Sequence, residues 1–213
     1  MRKIKLILAM SLPFSFLSQM YSSLQTKEEY DLFNNSEVNR FKPCLVSPEN
    51  DQNNFGDGMA YMLEGYITMY KTTGDKGYLY KFLIQSLCIM ENRHDIAGVN
   101  SDPRWSDAMY HDGNIIGSMA HFVHFIKMEE PDLENLTIHP FPEITNSVFS
   151  NNFNTFGQYA SWLSARVNET LNWFIANDYW DENYGFRQLV TQNYAVELNK
   201  QIGFSRALLF MGL

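Results

Sequence analysis

Cysteine is scarce in this 213-residue chain: only Cys44 and Cys88 are present. Two thiols cannot complete a cysteine-rich zinc cluster, and there is no His-Glu-x-x-His to supply another metal motif. A Gly-rich phosphate loop and a Gly-x-Ser-x-Gly elbow are also missing, which argues against nucleotide-dependent and serine-hydrolase chemistry. Basic residues are few, with 16 Lys and Arg against 24 Asp and Glu, for a formal net charge of −8. There is no basic stripe to neutralise a phosphate backbone, so nucleic acid is not an expected partner. Convincing strand patterns are lacking as well; only FRQLVTQ, from Phe186, reads as a possible hairpin arm. What is present is globular in character. Hydrophobic residues make up 45% and charged residues 19%, and aromatics are high at 15%.

The first 18 residues read as a signal peptide. Arg2, Lys3 and Lys5 precede LILAMSLPFSFL, Leu6 to Leu17, which falls short of the roughly 20 residues that span a bilayer. Cleavage is expected near Ser18; an uncleaved anchor is the alternative. No cysteine directly follows the apolar stretch, so a lipoprotein anchor is not supported. The expectation is an exported protein, periplasmic or extracellular, with no membrane contact after cleavage. Cys88 lies in FLIQSLCIM and reads most simply as a buried thiol, with pairing to Cys44 left open. Asn34-x-Ser36, Asn135-x-Thr137 and Asn168-x-Thr170 match glycosylation sequons.

Residues 19–56 are polar and Asn-rich, and are expected to form an N-terminal arm or loop with a short helix near Thr26–Phe33. Residues 57–213 read as a helical domain. In GMAYMLEGYITMYKTT the apolar positions Met59, Met62, Leu63, Tyr66, Ile67 and Tyr70 keep the helical period, and Tyr61 and Met69 widen the stripe. Asp57 is the candidate N-cap. Gly74 suits the left-handed stop, and Asp75 heads a second helix running to about Asn92. So short a connection makes an antiparallel αα-hairpin. A third helix covers MYHDGNIIGSMAHFVHFIKM, a fourth roughly Thr155–Asn177, and a fifth starts near Asn199 or Lys200. The first, third and fifth are apolar all round, whereas the second and fourth are amphipathic. The expected fold is therefore all-α, with αα-hairpins in two layers and the odd-numbered helices inside.

The segment AYMLEGYITMYKTTGDKGYLYKFLIQSLCIMENRHD, with its Tyr-x-x-Thr-Gly-Asp turn followed by Tyr-Leu, resembles the repeat hairpin of the (α/α) toroids, the six-hairpin glycosidase-like superfamily. NYAVELNKQIGFSRALLFMGL is similar to the start of a later inner helix in those proteins. The resemblance extends loosely over residues 57–213. It implies a partial (α/α)6 toroid and carbohydrate chemistry in a cleft at one end of the barrel, with an oligosaccharide or polysaccharide as partner. Six hairpins need about twelve helices and five are legible, so a truncated chain is expected; an open toroid that needs a protein partner is the alternative.

In such a barrel the inner helices begin at one mouth. Tyr110, His111 and Asp112 would sit there with Asp57, Glu197 and Asn199. His111 as base, Tyr110 as acid and Asp112 as orienting group would suit a lyase or epimerase. A glycoside hydrolase would draw two carboxylates from Asp57, Asp112 and Glu197. Trp105, Tyr179, Trp180, Tyr184 and Tyr194 are candidate stacking surfaces for sugar rings, and Arg104 is a candidate carboxylate clamp. Each has a plainer reading: helix caps for Asp57, Asp112 and Asn199, a local loop bond for His111, packing for the aromatics. His121 and His124 lie one turn apart but lack a third ligand, so no metal and no cofactor is implied. The expected function is an exported glycoside hydrolase or polysaccharide lyase-like protein. A non-catalytic glycan-binding or assembly protein, or an inactive fragment, is the alternative.

Overall fold

A computed structural model describes residues 12–41, 44, 54–106, 109–182, 185–186 and 198–212; for residues 12–25, 41, 54, 57 and 198–201 it describes the backbone alone. Among the described residues the chain is mostly helical: α1 (Leu12–Phe41), α2 (Ala60–Thr73), α3 (Gly77–Glu91), α4 (His94–Ala97), α5 (Met109–His124), α6 (Pro142–Thr145), α7 (Phe156–Ala176) and α8 (Leu198–Met211). Two-residue strands β1 (Trp180–Asp181) and β2 (Gly185–Phe186) pair antiparallel. Phe186, the first residue of the possible hairpin arm, is on β2; the rest of that arm lies outside the described residues.

The longest helix stands where an arm or loop with only a short helix near Thr26–Phe33 was expected. α1 has 30 residues, and its contacts recur at helical spacing. Lys27 pairs with Asp75 at 3.2 Å and Lys81 with Asp31 at 2.5 Å. Tyr30 meets Tyr66 and Tyr78 edge-on, with centroids at 6.5 and 5.7 Å. Asn34, 4% exposed, accepts from the Tyr66 hydroxyl at 2.6 Å. Positions 27, 30/31 and 34 form one face made of polar and aromatic anchors, so a search for aliphatic periodicity passes over it. The same burial closes the Asn34 sequon to modification.

The α2–α3 hairpin forms as its sequence dictates. Gly74 takes φ 70° and its N–H bonds to Tyr70 O, while Asp75 Oδ1 accepts from Gly77 N–H at 2.8 Å. Asp57, however, does not cap α2. It lies inside a π-helical turn, Asn54–Met59, and Met59 holds the cap position. Cys88 on α3 is bonded to Cys44, with 4.5 Å between the Cα atoms and 44 residues of separation. The expected free thiol is thus a crosslink tying the chain after α1 to the hairpin. Closing a loop of this length contributes about 4 kcal/mol on the chain-entropy account.

Helix directions follow from pairwise contacts. Ser118 Oγ donates to Ala60 O at 2.9 Å and His121 Nδ1 lies 2.7 Å from Glu64, so α5 runs parallel to α2. Gly113 and Gly117 meet Gly203, and His121 stacks on Phe210 at 4.6 Å, so α8 also runs parallel to α5. α7 runs the other way: Phe122 touches Phe156 and Tyr159, whereas Thr170 reaches Pro103 ahead of α5. α3 is parallel to α7, since Tyr80 meets Phe156, Ser86 bonds Tyr159, and Arg93 beyond its end reaches Glu169.

The expected alternation of covered and half-wet helices holds for α5, where all but Tyr110, Asn114, His121 and His124 are buried, and for α7, which buries one stripe and exposes Gln158, Ser161, Ala165 and Asn172. α3, expected to be half wet, buries Tyr78, Leu79, Phe82, Leu83, Ser86 and Leu87 through Met90. α8, expected to be wrapped, exposes Ile202 and Leu209. Neighbours decide burial. α3 meets α1 through Lys81–Asp31 and Tyr78–Tyr30, while α8 is contacted mainly by α5.

Candidate functional site

Because α2, α5 and α8 are parallel, their N-terminal ends share one end of the molecule, and α7 brings its C-terminal end there. Side-chain and backbone contacts close this end. Asn114 Nδ2 donates to Gly56 O at 3.1 Å. Gly56 lies against His111 so closely that an added Cβ would come within 2.5 Å of the imidazole's own Cβ. On the α8 side, a Cβ at Gly117 would lie 2.7 Å from Gly203 O, and Phe204 covers Gly113. Glycine at these positions lets backbones approach where any side chain would hold them apart.

Tyr110, His111 and Asp112 do head α5 at this end, but the last two point inward. His111 is 3% and Asp112 0% exposed. Trp105 N–H donates to Asp112 Oδ1 at 2.7 Å, and Ser106 Oγ shares a 3.1 Å hydrogen bond with His111 Nδ1. The pair therefore clasps residues 105–106 of the preceding loop onto the helix. Tyr110 is half-buried, its ring 4.0 Å from the imidazole between centroids.

Trp105 does not offer a stacking face. It is 3% exposed, and its indole N–H donates to Ile89 O at 2.6 Å. Arg104, expected as a clamp, is engaged within the protein. Its Nε donates to Asp102 Oδ2 at 3.2 Å, its Nη1 to Ser106 O at 3.1 Å, and its guanidinium lies 4.8 Å from the Trp173 ring centroid. Tyr179 packs on Trp173 and Phe174. Trp180 stays 41% exposed, edge-on to Phe186, which stacks on Phe204 at 4.2 Å. The aromatic run after α7 thus lies beside the head of α8. Asp57 and Asn199 are placed by backbone, the first in the turn against α5 and the second in the first turn of α8. Glu197, Tyr184 and Tyr194 lie outside the described residues.

His121 and His124 sit at the other end of α5, packed on Phe210. Among the described residues no group of three His, Cys, Asp or Glu side chains has the geometry to hold a metal, and no helix is long and apolar enough to cross a membrane.

Sequence reasoning missed a second polar grouping. Arg93, 1% exposed, donates to both oxygens of Asp95 at 2.7 and 2.9 Å and to Glu169 Oε2 at 2.9 Å. Arg166 joins through Glu169 Oε1 at 2.7 Å. Glu169 lies among the polar positions Arg166, Asn168 and Asn172 of α7, a pattern that by itself marks only a solvent-facing side. Only its meeting with Arg93, across 76 residues, brings these charges together. Comparison of the chain with protein-family models, curated proteins and solved structures finds no match.

Proposed function

We propose that this chain is an exported carbohydrate-active protein, a partial (α/α)6 toroid that engages an oligosaccharide or polysaccharide at the end where α2, α5 and α8 begin. The observation that carries the reading is that shared end: three helix starts meet there beside an aromatic cluster from which Trp180 protrudes. Helix N-termini favour anionic or strongly polar groups, and an exposed indole offers an apolar face to a sugar ring. Export is supported by the charged-then-apolar leader and by the Cys44–Cys88 bond, since disulfides persist in oxidising compartments.

Between a hydrolase or lyase and a non-catalytic binding protein, the geometry favours binding. A general base must come within hydrogen-bond reach of the proton it takes. His111 and Asp112 instead spend bonds on Ser106 and Trp105, away from solvent. The enzymatic form requires that loop to open, with Asp57 or Glu197 supplying a carboxylate.

A glycan array read for both binding and product tests this. The expected outcome is retention of one class of glycan without cleavage, weakened by about tenfold in Trp180→Ala, the scale of one lost aromatic contact. Cleavage products that disappear in Asp112→Asn, which keeps an acceptor for Trp105 N–H, would establish the enzymatic form. Failure to retain any glycan overturns both.

A further inference from the structure

We propose that the outer face of α7 carries a separate binding site for a neutral sugar ring. A cleft of about 550 Å³ lies between α7 and the loop that follows α4, lined by Arg93, Asp95, Arg166, Glu169, Asn172 and Trp173 among others. It is shallow and open to solvent. Positions 166, 169, 173 and 176 form one stripe of α7, flanking the stripe of Leu163, Val167, Thr170 and Phe174 that faces the core. The cleft lies beside the shared helix end, to which α7 brings its C-terminal turns, and none of its lining comes from α2, α5 or α8.

The walls are pinned before any ligand arrives. Thr170 Oγ1 donates to Pro103 O at 2.7 Å, and His94 N–H to Arg104 O at 2.8 Å. Arg93 Nη1 reaches Arg166 O at 3.4 Å. Arg104 lies against the Trp173 ring. A buried, fully engaged guanidinium at the floor holds Asp95 and Glu169 in fixed orientation, so little side-chain freedom is lost on binding.

The lining selects the ligand class. Arg93 and Arg166 are balanced by Asp95 and Glu169, so the cleft carries no net charge to attract an ion. The two carboxylates keep acceptor capacity beyond the bonds they make. Arg166 Nε is buried with no hydrogen-bond partner among the described residues, and exposed Asn172 adds an amide that both donates and accepts. Mixed donors and acceptors at close spacing suit vicinal hydroxyls, each of which does both. The part of the Trp173 indole that Arg104 and Tyr179 leave uncovered adds an apolar edge for a ring's C–H groups. A uronate would bring a third carboxylate beside Asp95 and Glu169, and an apolar ligand would strand the polar lining.

The test is a titration of the ¹⁵N-labelled full chain with a neutral hexose oligosaccharide and, in parallel, with the matching uronate oligomer. The neutral sugar is expected to shift the Trp173 indole and Asn172 amide resonances saturably, more strongly than the uronate. Affinity at those resonances should fall by about tenfold in Asn172→Ala, the scale of one or two hydrogen bonds. Asn172 is exposed, so the variant keeps the core, and an unchanged thermal melt checks this. Shifts confined to Trp180 would overturn this site while leaving the helix-end reading standing. No shifts with either sugar, a preference for the uronate, or full affinity in Asn172→Ala would also overturn it.

Discussion

Asp112 shows how a residue suited to chemistry can be committed to architecture. Its carboxylate is fully buried and accepts the Trp105 N–H at 2.7 Å. Removing the acceptor leaves a buried amide unsatisfied, a loss of about 1–3 kcal/mol. Asp112→Ala is therefore expected to lower the unfolding free energy by that amount in a denaturant titration, with Asp112→Asn recovering most of it. Equal stability of the alanine variant and the parent would show that the clasp is dispensable. That Tyr110, His111 and Asp112 stand at a helix head was legible in MYHD followed by glycine and an apolar run. The inward turn of His111 and Asp112 was not, because it depends on Trp105 and Ser106 folding back over them. Glu169 presents the converse: a surface carboxylate by pattern, it becomes a cleft wall because Arg93 reaches it.

Among elements, the α5–α8 pairing rests on glycine. Gly113 and Gly117 lie one turn apart on α5 and face Gly203 on α8 with backbone nearly in contact. Gly203→Ala would drive a methyl group into the Gly113 backbone, where no side chain can move aside. Overpacking of this kind costs about 1–3 kcal/mol, so a lower melting temperature is expected, together with faster amide exchange along α8. An unchanged melt would show that the two helices separate freely. The glycines were visible in the sequence, but their facing one another was not, since pairing of α5 with α8 joins segments some 90 residues apart by. The length and docking of α1, beyond the short helix expected near Thr26–Phe33, were missed for a related reason. Its docking face is built from Lys27, Tyr30, Asp31 and Asn34, whose partners on α2 and α3 are what make it a face at all.

For the whole molecule, acidic pH is the expected weak point. Asp75 is held below the ordinary carboxylate range by the Gly77 N–H and, against the opposing effect of burial, by Lys27. At Asp31 burial, which opposes ionisation, is outweighed by Lys81, Tyr78 and Lys27. Glu129 is lowered by Lys71. A carboxyl whose native pKa lies below its unfolded value contributes stability above the unfolded value and loses it as pH falls through the native one. Urea midpoints are expected to hold from neutrality down to about pH 4 and to decline below it. A midpoint at pH 3 equal to that at pH 6 would show that these pairs add nothing beyond surface ion pairing. Two of the three carboxyls tie α1 to the α2–α3 hairpin, so α1 should detach first.

The sequence by itself determined the all-α class, the α2–α3 hairpin with its Gly74 stop, and the approximate spans of α5, α7 and α8. These follow from backbone preferences and from the 3.6-residue period, both local properties. Tertiary structure alone decided which helices are wrapped, that α1 runs well beyond Thr26–Phe33 and docks on the hairpin, that Cys44 pairs with Cys88, and that Asp112 faces inward. Each of these depends on what lies across a gap in the folded chain, and a side chain's surroundings are set by neighbours remote in sequence rather than by the pattern in which it sits.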